Sequence, residues 1–292
     1  MKFGAWMYQR AGTMDIIEFA RVAEQCGFES VWQGEHSHRP VNEPERPLLA
    51  QGKLHDHALM WDQWVVLGAW AAATSHVRLG TGITLAMERD PIWLAKEVAT
   101  LDQISGGRAM LGIGGGHPVE PYLKEMRNHG TDPDLRFEVL RERMLAVREI
   151  WTKQEPEFHG QYVDFDPIWS FPKPVQQPHP PVLLGSNGRT RKVWAKTLSR
   201  LFEYCDGWMP NAREPNLGRK VEELQNKARE LGRPRYDVTV FGAGMIDPLD
   251  ESAVERFQAA GVDRIIFVPQ PAAAETVVPQ FKRVGELAKR YA

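Results

Sequence analysis

One carboxylate and two imidazoles stand within four residues at Glu35-His36-Ser37-His38, directly after an apolar run that reads as a strand. Histidine changes charge near neutral pH, so His36 can give or take a proton, with Glu35 beside it as a second candidate for the same work. A His-x-His pair at a strand end can also bind zinc, and His55, Asp56 and His57 lie further along the same stretch. For His38, His55 and His57 the plainer reading is a polar loop of solvated histidines. Gly114-Gly115-Gly116, followed by His117, lets backbone come close to a ligand, although a simple turn uses the same residues. Ser186-Asn187-Gly188-Arg189-Thr190 combines small polar residues, an arginine and a helix start. That is the composition of a phosphate seat at a helix N-terminus; an ordinary cap at Ser186 or Asn187 is the alternative. Gly82, Ile83 and Thr84 close another strand. Trp6, Tyr8 and Trp208 stand at or near strand ends and, with His117, suggest an apolar, aromatic pocket for a small-molecule substrate.

The elements that must position these residues alternate. Strand-like runs cover Lys2 to Met7, Glu29 to Gln33, Val77 to Thr84, Arg108 to Ile113, Val182 to Gly185, Gly207 to Met209, Asp237 to Gly242 and Arg264 to Val268. Helical periodicity follows each of them. Thr13 is placed to cap the first helix; Trp61 to Ser75 reads as a helix with Trp64, Val65, Leu67 and Ala71 inward. Asp90-Pro91 is a cap followed by proline at the first helical position. Trp64, Trp93 and Trp194 fall on helical patterns, as packing residues do. Eight strand–helix units with near-continuous apolar strands predict a parallel sheet closed into a (β/α)8 barrel with inserted loops after some strands. An open doubly wound sheet is the alternative, weakened by the missing Gly-rich turn after the first strand. Such barrels carry their reactive groups at the C-terminal ends of the strands. Two long stretches, Ser37 to Met60 and Pro156 to Pro181, are the loops expected to carry function.

Bulk properties fit one domain spanning residues 1–292. Hydrophobic residues make up 42% and charged residues 25% of the chain, as in ordinary globular proteins, and the net charge of −2 gives no support for a nucleic-acid or membrane-surface partner. No apolar run approaches the ~20 residues that span a bilayer. With no signal-peptide core at the start and only Cys26 and Cys205, read as two separate thiols, a reducing cytoplasm is the expected setting.

Several of these segments, in this order, resemble the luciferase-like monooxygenase superfamily and, within it, the branch dependent on coenzyme F420. They are AEQCGFESVWQGEH (Ala23 to His36), VRLGTGI (Val77 to Ile83), PIWLAKEVATLDQISGGRAMLGIGGG (Pro91 to Gly116), PPVLLGSNGRT (Pro180 to Thr190) and CDGWMP (Cys205 to Pro210). The resemblance implies a barrel with a deazaflavin, or alternatively FMN, lying in its mouth. It also implies a non-prolyl cis peptide at Gly82–Ile83 backing the ring. His36 falls near the reactive ring edge, with Glu35 beside it, and the cofactor lies along Gly82 to Thr84, Gly114 to Gly116 and Ser186 to Thr190. Many relatives have Asp-His in place of Glu35-His36. The sugar-phosphate dehydrogenase relatives have an acidic glutamate where this chain has His117, which argues against that activity. The reaction implied is hydride transfer. The rivals are an FMN-dependent monooxygenase fed by a partner reductase, a zinc-dependent barrel hydrolase using His36 and His38, and a non-catalytic flavin-binding protein. The hydrolase is disfavoured because later strand-end His and Asp ligands are missing. Relatives are often dimers, so a homodimer is expected.

Overall fold

The structure, a computed structural model, describes residues 1–10, 13–41, 56–270 and 273–291. Its strands, in chain order, are β1 (Lys2–Trp6), β2 (Ser30–Gln33), β3 (Arg78–Thr81), β4 (Ala109–Gly114), β5 (Phe158–His159), β6 (Asp164–Phe165), β7 (Val182–Gly185), β8 (Gly207–Met209), β9 (Asp237–Ala243) and β10 (Arg264–Phe267). All but β5 and β6 close into one barrel in the order β1-β10-β9-β8-β7-β4-β3-β2, every pairing parallel. This is the (β/α)8 barrel the alternation predicts, and the open sheet is excluded. The helices are α1 (Ile16–Gln25), α2 (Gln63–Ala73), α3 (Pro91–Ser105), α4 (Tyr122–Asn128), α5 (Arg136–Thr152), α6 (Arg191–Tyr204), α7 (Leu217–Glu230), α8 (Glu251–Ala259) and α9 (Ala274–Tyr291).

Local chemistry sets the helix ends. The Asp90 side chain accepts hydrogen bonds from the N–H groups of Ile92 and Trp93, Pro91 opens α3, and Gly106 closes it in the left-handed conformation. The cap of α1 is Asp15, not Thr13: Asp15 Oδ1 accepts from Ile17 and Glu18, whereas Thr13 turns its hydroxyl back to the Arg10 carbonyl. In α2 the buried side is Val66, Leu67, Trp70 and Ala71, one residue round from the expected face, and Val65 is 72% exposed. An all-apolar helix has no periodic signal to fix its phase. Trp93, expected in packing, is 67% exposed.

Inside the barrel the side chains form layers. Arg264, 1% exposed, closes the floor: its guanidinium donates to Glu29, Asp237 and the Thr239 hydroxyl. Trp32 lies in the next layer, its indole N–H donating to Ser30 Oγ at 2.8 Å. It has room because the two flanking strands carry Gly4 and Gly80 beside it; a Cβ on Gly80 would overlap the indole. Above come Trp6, Met110, Leu183, Met209, Ile266 and Val268. The barrel is a packed core up to its C-terminal mouth.

The two long stretches take different forms. Residues 156–181 carry the short antiparallel hairpin β5–β6, whose turn is gathered by Glu142 on α5, and the following segment is strapped to α3 by Lys96 and Gln103. Of the histidine-rich stretch, His55 lies outside the described residues.

Candidate active site at the barrel mouth

The end of β3 is the centre of the site. The Gly82–Ile83 peptide is cis, as the resemblance implies. The Gly82 carbonyl accepts the Trp6 indole N–H at 3.2 Å, and Gln63 on α2 donates to the Gln33 carbonyl at 2.7 Å. The Ile83 side chain lies across Gly114 and Gly185: a Cβ on Gly185 would sit 2.8 Å from Ile83 Cγ2, and one on Gly114 would collide with Ile83 Cδ1. Thus the ends of β3, β4 and β7 meet in one continuous floor that only glycine permits. Gly115 packs against Phe137 of α5 in the same way, and Gly116 has φ of +64°.

Facing this floor is a ring of aromatic side chains. Trp6 meets Tyr8 edge-on at 4.3 Å between centroids and Phe241 at 5.3 Å. The Tyr8 hydroxyl bonds His57 Nε2 at 2.8 Å, and His57 stacks on His36 at 4.1 Å with 14° between the planes. Tyr122 of α4 lies beside His36, and His117, exposed, lies beside Tyr122. His57 is therefore part of the constellation rather than a solvated loop residue. Gly34, two residues before His36, is held between Trp6 and the Gly82 carbonyl, which brings the end of β2 against the cis peptide.

His36 is 17% exposed and its Nδ1 lies 2.8 Å from Oε2 of Glu125, whose side chain is 1% exposed. Glu125 sits on the short helix α4, in a stretch between β4 and α5 with no periodicity to announce it. Its other oxygen accepts the Ser37 N–H at 2.8 Å and the Ser37 hydroxyl at 3.3 Å. Burial opposes ionisation of Glu125, yet the hydrogen bonds from His36 and the Ser37 and His38 backbone, with the His36 charge, hold its carboxyl below the usual range. Nearby Glu88 behaves oppositely. Burial, reinforced by the negative charges of Glu125 and Glu35, pushes it up to about 8, so it retains its proton at neutral pH.

Several expected site residues have other tasks. Glu35 is not free to act as a catalyst: one oxygen accepts from Arg89 Nε at 2.6 Å and the other from the Leu85 N–H at 2.7 Å, tying β2 to the segment after β3. The Thr84 hydroxyl is committed to Gln63 Oε1 at 2.7 Å. Trp208 does not line the mouth. It is 0% exposed, points outward from β8, packs at a tilt against Trp194 of α6 and donates to the Ser186 carbonyl, because Met209 next to it takes the inward position.

The proposed phosphate seat is partly engaged as well. The Gly188 N–H donates to Glu214 at 2.9 Å, Glu214 pairs with Lys220, and Thr190 caps α6. Asn187 accepts from the Asn211 N–H. Ser186 Oγ, however, is buried with no partner among the described residues, and Arg189 is exposed at the rim. Sequence reasoning missed Glu125, Tyr122, Gln63 and Glu214, all distant in the chain from the groups they hold.

Zinc chemistry finds no support in this arrangement. His38 bonds Ser37 and Asn128 and does not converge with His36, and among the described residues no three His, Cys, Asp or Glu side chains are grouped to hold a metal. Among the described residues no helix is long and apolar enough to cross a membrane.

A closed parallel barrel with glycines, a cis peptide and a histidine at its mouth makes the C-terminal ends of the strands the candidate site of a (β/α)8-barrel protein. The chain belongs to the luciferase-like monooxygenase family, whose model matches residues 1–291. An uncharacterized protein of Mycobacterium tuberculosis is 35% identical over 288 residues, covering 98% of both chains. The oxygenase component of the flavin-dependent trigonelline monooxygenase of Acinetobacter baylyi is 33% identical over 168 residues, covering 58% of this chain and 41% of its own. The F420-dependent glucose-6-phosphate dehydrogenase of Amycolatopsis mediterranei is 30% identical over 215 residues, covering 70% of this chain and 60% of its own.

Proposed function

We propose that this chain is an oxidoreductase using the deazaflavin F420 for hydride transfer to or from a small organic substrate. The observation that carries the reading is the floor made by Gly82–Ile83, Gly114 and Gly185, with the unpartnered Ser186 hydroxyl one residue beyond it. Gly114 and Gly185 make room for the Ile83 side chain, so a planar ring would lie against the cis peptide and Ile83 itself, while the unpartnered Ser186 hydroxyl offers a donor to a phosphate-bearing tail; the residues present fit the group. Gly82 to Thr84 and Gly114 to Gly116 would hold the ring through their backbone, and Ser186, Asn187 and Arg189 would hold the tail. When bound, the deazaflavin supplies the carbon that donates or accepts hydride. The protein does the rest. Trp6 and Tyr8 wall the substrate side against water, His57 stacks on His36 to fix its plane, and His36 holds or releases a proton at Nε2.

The deazaflavin is preferred because the LGTGI and SGGR segments resemble that branch, and because the F420-dependent relative matches more of this chain than the flavin-dependent one does. The second reading is an FMN-dependent monooxygenase that consumes oxygen and takes reduced flavin from a partner reductase; the trigonelline monooxygenase relative favours it. Titration of the cofactor-free protein separates the two. F420 should bind at least about tenfold more tightly than FMN, and turnover should proceed without oxygen uptake. Tighter binding of FMN, with oxygen consumed in step with product, reverses the assignment.

We further propose a homodimer. Val65 on α2 and Trp93 and Ile104 on α3 are exposed apolar side chains on two helices packed side by side. Sedimentation should give twice the chain mass, and Trp93→Asp should shift the protein toward monomer. A wild-type protein that sediments as a monomer at tens of micromolar removes the dimer.

A further inference from the structure

We infer that Glu125 is the positioning residue for His36: it fixes which ring nitrogen carries the proton and stabilises the imidazolium, leaving Nε2 as the atom that exchanges a proton with the substrate. The inference rests on the reading of His36 as the proton-handling group at the mouth.

The geometry leads there in three steps. A carboxylate accepts and does not donate, so a 2.8 Å contact between Glu125 Oε2 and His36 Nδ1 places the proton on Nδ1. His36 Nε2 makes no hydrogen bond with the described residues, so the neutral ring presents a lone pair there and the charged ring an N–H. Glu125 is itself immobilised. Its second oxygen holds the Ser37 N–H and hydroxyl, and the same hydroxyl bonds His129 Nε2 at 2.6 Å and His38 Nδ1 at 2.7 Å. His36 is thus clamped between a fixed carboxylate at its Nδ1 edge and the His57 ring on its face.

Other groups around His36 are accounted for. Tyr122 and Glu125 approach from α4, His57 from residues 56–59, and Tyr8 acts through His57. Glu35, the chain neighbour, is neutralised by Arg89, and Arg39 sits over the Tyr122 ring. Glu88, protonated at neutral pH, lies 3.7 Å from His129 and adds no charge. Glu125 is the one carboxylate in direct contact with the His36 ring among the described residues.

The test needs neither substrate nor cofactor. Histidine-labelled protein, with the His36 signal assigned through His36→Gln, is followed by two-bond nitrogen–proton NMR across the pH range. The wild type should show neutral His36 protonated on Nδ1. Glu125→Gln, which keeps the shape but offers Nδ1 an amide that can donate as well as accept, should let an Nε2-protonated fraction appear; Glu125→Asp, still a pure acceptor, should keep the Nδ1 form. An Nε2-protonated neutral ring in the wild type, or a tautomer unchanged in folded Glu125→Gln, overturns the inference. If Glu125→Gln does not fold, the tautomers of the wild type and of Glu125→Asp decide alone. A protein that shows this tautomer preference yet binds neither F420 nor FMN refutes the cofactor reading and leaves the pairing intact. The converse result separates them the other way.

Discussion

Arg264→Met should destabilise the barrel by about 3 kcal/mol, the lower end of what breaking a buried ion pair costs. The reason lies at the floor. The Arg264 guanidinium is 1% exposed and is held by both oxygens of Glu29, by Asp237 and by Thr239, so removing it strands two carboxylates at the base of a packed core. Glu29 and Asp237 keep about a quarter of their side-chain surface in water, which relieves part of the penalty. Thermal unfolding should therefore fall by roughly 5–12 °C for a chain of this size. The pH dependence gives a sharper signature. Burial opposes ionisation of Glu29, but the hydrogen bond and charge of Arg264 hold its carboxyl below the ordinary value of 4.5. A depressed carboxylate contributes stability above that value and loses it as pH falls through the folded-state titration. The gap between wild type and Arg264→Met should be widest near neutral pH and narrow below about pH 4.5. An equal gap at pH 4 and pH 7 would mean that packing against Trp32, not charge, is what Arg264 supplies.

That floor also shows where a linear reading stops. The strands could be read because each is a short apolar run between turn residues, and Val182–Gly185 and Gly207–Met209 come out at the expected residues. The phase of a strand could not be read. Trp32 and Trp208 are both single tryptophans in buried strands, yet one fills the barrel and the other faces a helix. What decides is the neighbouring residues: Gly4 and Gly80 on the flanking strands leave room for Trp32, and Met209 claims the interior next to Trp208. A strand buried on both faces carries no alternation to reveal this.

The site was legible to the same depth. His36, Gly82 and Ile83 follow as candidates from position at strand ends, because the barrel puts all such residues at one mouth, and the cis bond follows from the family resemblance. Glu125 does not follow, since it is 89 residues from His36 and its helix is only seven residues long. Glu214 is likewise invisible from the sequence, although it takes the Gly188 N–H that a phosphate would otherwise use. Glu35 illustrates the reverse error. Adjacency to His36 makes it look catalytic, but successive residues beyond a strand point in different directions, and Arg89 is what Glu35 meets.

His36→Gln should lower turnover by roughly 10²–10⁴-fold while leaving cofactor affinity near the wild-type value. Glutamine is chosen over alanine for a structural reason. Glu125 is almost fully buried, and removing the whole ring would leave one of its oxygens without a donor, at a cost of about 1–3 kcal/mol unrelated to catalysis. The glutamine amide can still donate to Glu125, but it cannot exchange a proton at neutral pH. A loss of turnover in His36→Gln with an unchanged melting temperature therefore isolates proton transfer from scaffolding. His36→Ala should show the same loss of turnover together with lower stability. Because the proposed role is proton transfer at Nε2, the acid or base limb attributable to His36 should also vanish from the pH–rate profile of His36→Gln. Turnover within a few-fold of wild type, with the limb still present, would transfer the role to another group at the mouth, with Tyr8, through its bond to His57, the next residue in contact with the same stack.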